Sequence, residues 1–206
     1  MRDNGPYWIR SCVVLGKRIF FRNPPIAILF LIAAVLIPSF VLSKLEPKRL
    51  INKEIGYEFT IPRQWQMKPS DDAQMITLQR VKGKTVGKAT INLNIDTGNP
   101  YGATAEDYIN NHLLPQAKDL YENQSHLTLT SKGDPFPETH NGVEWTKVSY
   151  WINYNDLQVI YVTQTSIYVF AFVMTSKGTD QEKDEGSLRE LLDSFVIHPQ
   201  EKAMAF

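Results

Sequence analysis

The chain predicts an α+β domain, an antiparallel β-sheet flanked by helices, preceded by one transmembrane helix. Three observations carry this expectation. Asn23–Ser43 runs for twenty-one residues without a charge. Beyond it, strand-like patterns follow one another with few helices between them, which favours antiparallel pairing. Two stretches of helical periodicity, starting near Ala105 and Asp180, remain to cover the sheet.

The elements follow in chain order. At about 100° per residue, Trp8, Ile9, Cys12, Val13, Leu15, Ile19 and Phe20 fall on one side of the segment 8–21, and Arg10, Lys17 and Arg18 on the other. Residues 1–24 therefore read as an amphipathic interfacial segment, with basic side chains reaching into water. Pro24–Pro25 break it and open the membrane helix, where proline is tolerated in the first turn. The span is 25–43; Ile26 to Ser43 alone covers roughly 27 Å, close to the hydrocarbon thickness of a bilayer. Trp8, Phe20, Phe21, Phe30 and Phe40, with Arg18 and Arg22, are the expected contacts with the lipid bilayer.

Lysine and arginine nearly balance across the span, so the positive-inside rule does not set its orientation. Lys17, Arg18 and Arg22 lie closest and resemble the n-region of a signal anchor, which would place the C-terminal domain in an extracytoplasmic, periplasm-like compartment. A cleaved signal peptide is the rival reading: Pro38 ends a twelve-residue apolar core, and Val41 and Ser43 are small. The long n-region and the amphipathic helix favour the uncleaved anchor.

Residues 44–55 read as a basic linker, 56–198 as the domain and 199–206 as a tail. In Gly56–Trp65, Tyr57, Phe59 and Ile61 alternate with polar residues. Met75–Val81 and Ala89–Ile95 form an expected hairpin about Lys82–Lys88. Thr104 is placed to cap a helix from Ala105 with the apolar stripe Tyr108, Ile109, Leu113, Ala117 and Leu120, in which Pro115 should cause a kink or a split. A short strand near Leu127–Ser131 and a loop Lys132–Gly142 precede strands at Val143–Tyr154, Leu157–Thr165 and Tyr168–Ser176, with a tight turn at Asn155–Asp156. Asp180–Ser194 closes the domain as a helix, with Leu188, Leu191, Leu192 and Phe195 at i, i+3, i+4 and i+7.

Charge narrows the function. Residues 1–50 carry eight basic side chains against Asp3 and Glu46, so of totals of 22 each, 14 basic and 20 acidic remain beyond them. A net-acidic domain behind a basic segment suits membrane attachment and sets nucleic-acid binding aside, since that needs a basic face. Cys12 is the sole cysteine, which leaves no intramolecular disulfide and no thiolate metal cluster. It reads as a small apolar helix residue, with juxtamembrane palmitoylation as the alternative.

The order of parts resembles the PsbP-like family. The features that carry it are the opening GYEFTIPRQW at 56–65, Thr104–Tyr108 at the start of a helix, Gly142–Trp145 leading three strands, and the ending Leu192–Ile197. The likeness covers Gly56–Ile197. It implies an α-β-α sandwich, as also found in Mog and DcrB-type proteins. In most members it implies a binding or assembly role without catalysis: photosystem extrinsic proteins, envelope proteins, and chaperones that shield the membrane helices of secreted effectors. The membrane span departs from that pattern and implies residence beside a membrane partner.

No chemical motif stands out. Gly83–Ala89 has three residues between its glycines where a phosphate loop needs four, and it continues into a strand. Arg80, Lys82, Lys84 and Lys88 make a basic turn, read as solvated or as a contact for anionic lipid or an acidic partner. His112, His126, His140 and His198 lack metal-type spacing, though His140 beside Glu138 leaves a weak divalent site conceivable. Asp180, Glu182, Asp184 and Glu185 suit a helix N-terminus without a ligand. No cofactor, metal or catalytic residue is expected.

Aromatic residues are the remaining candidates. Trp145 and Trp151 share one strand face with Lys147 and Ser149, and Val148, Tyr150 and Ile152 share the other. Trp145, Trp151, Tyr154, Phe136 and His140 are the expected partner-binding residues. The expected function is that of a membrane-anchored, non-catalytic accessory or assembly subunit contacting membrane protein complex subunits. A chaperone-like or secretion-associated module for an apolar peptide, and a hydrolase with a spatially assembled site, are the alternatives.

Overall fold

Strand β1 (Lys48–Asn52) pairs antiparallel with β2 (Tyr57–Ile61), and β2 pairs on its other side with β11 (Val196–Ile197). These three strands form a small sheet of their own. They belong to a computed structural model that describes residues 48–69, 75–82 and 85–198. The interfacial segment 1–24, the span 25–43, their expected lipid contacts and the tail 199–206 lie outside the described residues, as do the side chains of Lys82, Lys84 and Lys88. No helix among the described residues is long and apolar enough to cross a membrane.

The large sheet is built from β3 (Trp65–Lys68), β4 (Met75–Lys82), β5 (Thr85–Thr97), β6 (Leu129–Ser131), β7 (Phe136–His140), β8 (Val143–Ile152), β9 (Asp156–Gln164) and β10 (Tyr168–Lys177). Its order is β3-β4-β5-β10-β9-β8-β6, and β7 pairs with β8 ahead of β6 on the same edge. Central β10 runs antiparallel to both β5 and β9.

Alternation along the central strands creates two cores. Phe170, Phe172 and Met174 of β10 face one way, with Val159 and Tyr161 of β9 and Trp145 of β8. Helix α2 (Gln181–Asp193) covers this face with Leu188, Leu191 and Leu192, and the small sheet adds Tyr57 and Phe59. Phe195 lies at the centre, with ring centroids 5.3 Å from Trp145 and 5.5 Å from both Phe170 and Phe172. Val169 and Ala171 face the other way, with Val148, Tyr150, Ile160 and Val162. They meet Tyr108, Ile109 and Leu113 of helix α1. The expected α-β-α layering is therefore present.

Helix α1 begins as an α-helix at Ala105–Tyr108, passes through a π segment at Ile109–Leu113, returns to α at Leu114–Lys118, and ends as π at Asp119–Gln124. Thr104 accepts from the Asp107 backbone N–H, and the Asp107 carboxylate accepts from Thr104 N–H in return, a reciprocal capping box. Pro115 stands second in the second α segment, just past the first π segment, so the α pattern is split beside the proline as expected. The π segments add a residue to their turns, so the phase of the buried stripe slips. Leu120, expected inside, is 49% exposed.

Three further expectations need correction. Lys48–Asn52 is an edge strand, although its basic residues read as linker; lysine and arginine suit an exposed strand edge. The segment Lys132–Gly142 is no continuous loop, because Phe136–His140 forms β7. Asn141 and Gly142, with φ of 49° and 76°, make its two-residue hairpin turn, and Asn-Gly is the favoured pair for that geometry. The β8–β9 turn is centred on Asn153 and Tyr154, with φ of 51° and 60°, rather than on Asn155–Asp156.

Candidate functional site

The edge of the large sheet at β6, β7 and β8 gathers most of the residues expected to bind a partner. Phe136 lies opposite Lys147, and Trp151 lies four residues further along β8, a separation of roughly 13 Å. Lys147 Nζ sits 5.6 Å from the Phe136 ring centre, and Lys132 Nζ sits 4.6 Å from that of Trp151. Between them opens a cleft of about 200 Å3, lined by Lys132, Gly133, Asp134, Ser149 and Glu185 with Phe136 and Lys147. Past Trp151 the strand ends in the turn that carries Tyr154.

Two of these residues stand out from the surface. Phe136 is 48% exposed and Tyr154 is 74% exposed. Tyr154 also holds a left-handed backbone conformation, which costs a side chain with a Cβ about 1–2 kcal/mol. Trp145 belongs elsewhere: it is fully buried against Phe172 and Phe195 and offers no surface to a partner. His140 is also buried, and its Nδ1 lies 2.7 Å from Asp193. Its Nε2 is 3.3 Å from Glu138 but out of line for a hydrogen bond. It ties β7 to the end of α2.

A charged network lies beneath the cleft. Lys147 Nζ donates to Glu185 Oε1 at 2.8 Å and lies 3.5 Å from Glu138 Oε2. Tyr161 donates its hydroxyl to Glu138 at 2.9 Å, and Arg189 donates to Glu185 at 3.0 Å. Burial alone would lower the lysine pKa, but the hydrogen bond from Lys147 to Glu185 and the surrounding charges raise it above its ordinary value. Burial would raise both glutamates, yet Tyr161 and Lys147 at Glu138, and Lys147 with Arg189 at Glu185, hold them below theirs. Burial pushes the Tyr161 hydroxyl up to about 12. At neutral pH Lys147 is protonated and doubly paired, so it is no base for the nearby Ser149. The arrangement ties β7 and β8 to α2 beneath the cleft.

A second buried network joins β4 to α2. Arg80 donates to Asp184 at 2.6 Å and also pairs with Asp180, and Ser176 donates to Asp184 at 2.5 Å. Three acidic residues expected only to suit a helix N-terminus are thus side-chain partners: Asp180 and Asp184 of Arg80, and Glu185 of Lys147. Among the described residues, no group of three or more His, Cys, Asp or Glu is placed to hold a metal ion. The charged networks join residues far apart in the chain, and only the alternation of β8, which puts Lys147 beside Trp145 and Trp151, hinted at them.

No protein-family model matches the chain, and no curated protein matches it. Solved structures do. Cyanobacterial PsbP (CyanoP) from Synechocystis is similar, with 14% identity over 73% of this chain and 92% of that one, and a TM-score of 0.51. LpqN, involved in cell envelope biogenesis of Mycobacterium tuberculosis, aligns at 13% identity over 75% of this chain and 91% of its own, with a TM-score of 0.47. A point mutant of protein Mog1 aligns at 9% identity over 75% and 97%, with a TM-score of 0.44. At such identities the likeness to CyanoP is one of fold. The described domain is an antiparallel sheet with two helices in the PsbP-like α+β arrangement.

Proposed function

We propose that this chain is a membrane-anchored, non-catalytic accessory or assembly subunit of a membrane protein complex. It docks its partner through the β6–β7–β8 edge of an extracytoplasmic PsbP-like domain. Tyr154 carries the reading: a largely exposed aromatic side chain held in a left-handed turn that glycine would occupy without strain. Strain retained at a protruding aromatic is what a docking anchor requires, and Phe136 supplies a second anchor over a floor fixed by ion pairs. The charge-free run 23–43 supports the membrane part of the proposal, and the protonated, paired state of Lys147 supports the non-catalytic part.

The full chain, purified from native membranes in mild detergent, should bring stoichiometric membrane subunits with it. Tyr154→Gly should weaken that association while the melting temperature holds. Relief of the turn, about 1–2 kcal/mol, is partly offset by the about 0.5–1 kcal/mol of chain entropy that glycine adds. Release of the chain from membranes by alkaline carbonate would overturn the anchored reading. A transient client in place of a stable subunit would favour the chaperone-like alternative, and turnover by the purified chain the hydrolase.

A further inference from the structure

On the opposite face of the sheet, helix α1 covers β8, β9 and β10 and reaches β5 at Asp96, where the Tyr108 hydroxyl donates, but its later turns leave Asn92 and Asn94 of β5 open. A cleft of about 190 Å3 remains there. Its polar lining is Asn92, Asn94, Gln116, Tyr121, Gln158 and Thr175, all carboxamides or hydroxyls; among the described residues no charged side chain lines it. Leu113 and Leu120 from the helix, with Ile160 from the sheet, supply apolar wall. The π segment Asp119–Gln124 brings Leu120 and Tyr121 to this wall, and π segments recur at functional sites.

Gln158 sets the chemistry. The residue is only 5% exposed, and its Oε1 is buried without a hydrogen-bond partner. Its Nε2 donates to the Tyr121 hydroxyl oxygen at 3.4 Å. A hydroxyl that accepts keeps its own proton to donate. The pair therefore leaves one unsatisfied acceptor and one available donor side by side in the wall of the cleft. Turning the carboxamide over exchanges the two roles and leaves the pairing intact. A hydroxyl satisfies both at once, donating to one and accepting from the other. Asn92, Asn94 and Thr175 repeat that dual character across the floor. A peptide backbone would seek an unpaired strand edge, whereas β5, β10 and β9 are paired on both sides here. An ionised ligand would find no counter-charge.

The geometry points to a binding site for an uncharged saccharide in this cleft, independent of the docking edge on the other face. Its hydroxyls would be read by Gln158, Tyr121, Asn92 and Asn94, and its apolar face would rest on Leu120. The test uses the full chain in a non-glycosidic detergent, with maltose as the probe and side-chain carboxamide NMR as the readout. Maltose should shift the Gln158, Asn92 and Asn94 signals. Gln158→Leu should weaken the response at least about tenfold without lowering the melting temperature, since it removes a buried unpaired acceptor. Asn94→Asp, at a half-buried position, should weaken it too and serves if the first variant folds poorly. Absence of any maltose shift at about 10 mM, or an undiminished response in either folded variant, overturns the assignment. So does an equal response to glucose 6-phosphate, because the cleft offers nothing to a charge.

Discussion

The two faces of the large sheet are closed by different means. The α2 face is aromatic: Tyr57, Phe59, Trp145, Phe170, Phe172 and Phe195 interlock, and the helix is bolted down at Asp184 and Glu185 by Arg80 and Lys147. The α1 face is mostly aliphatic, and its helix is held by Tyr108, Ile109 and Leu113 and by the Thr104 cap. Each face keeps a cleft of similar size, about 200 Å3 beside α2 and about 190 Å3 beside α1. Their linings differ: the first has Lys147 and Glu185 paired at its floor, and the second has only carboxamides, hydroxyls and apolar groups.

Single substitutions can probe each closure. Phe195→Ala should cost about 3–5 kcal/mol, because the five rings around it, Tyr57, Phe59, Trp145, Phe170 and Phe172, cannot close over the cavity. Ile160→Val on the α1 face should cost only about 0.5–1.5 kcal/mol. Chemical denaturation of both variants checks the two values; a loss at Phe195 no larger than that at Ile160 would show that the ring cluster closes over the cavity.

Next in size is the Arg80–Asp184 bolt. Asp184→Leu should destabilise by about 3 kcal/mol, since it leaves Arg80 buried with only the more exposed Asp180 for a partner. Adding Arg80→Met should recover most of the loss, because an apolar pair of similar volume carries no stranded charge. A double variant as unstable as the single one would show that the pair itself, rather than an orphaned charge, holds α2.

A smaller effect belongs to the network under the docking edge. Glu138 and Glu185 titrate below the ordinary 4.5 in the folded chain. Their stabilisation is therefore complete above about pH 4.5 and is lost as pH falls through the depressed values. The sign reverses for Lys147, whose raised pKa gives stability present below 10.5 and lost above it. Melting temperature should hold to about pH 4.5 and decline below, and Lys147→Met should flatten part of that decline. An unchanged acid limb in the variant would place the acid-sensitive groups elsewhere.

How much of this was legible depends on whether the determinant is local. The Thr104 cap, the stripe Leu188–Leu191–Leu192–Phe195 and the alternation of β8 to β10 are written in neighbouring residues, and they stand where the patterns put them. β7 was missed because Pro135 and Pro137 read as loop, yet an edge strand tolerates proline on its free side, and the Asn141–Gly142 turn was the overlooked signal. The π segments left no trace in the periodicity, which put Leu120 in the buried stripe although it is half-exposed. The ion networks join Arg80 to residues 180–184 and Lys147 to residue 185, pairings that only the fold creates. At the docking edge, residue type alone chose Trp145 together with Trp151, and burial separates them.

The smallest expected effect tests the α1 face at the N-terminal cap of its helix. The Thr104 side chain accepts from Asp107 N–H at 3.1 Å, and the Asp107 carboxylate accepts from the backbone N–H groups of Ala103 and Thr104 at 3.0 and 2.9 Å. The Thr104 hydroxyl also donates to that carboxylate at 2.8 Å, and this bond, with those from the two backbone N–H groups, holds the Asp107 carboxyl below its ordinary range. Thr104→Ala should cost about 1 kcal/mol, the usual value of an N-cap. The loss should be localised, because α1 touches the sheet mainly through its first two turns: amides of 105–113 should exchange faster while those of α2 keep their protection. If amides on both helices lose protection equally, the two faces unfold as one unit, and their contrast is one of composition without a difference in local stability.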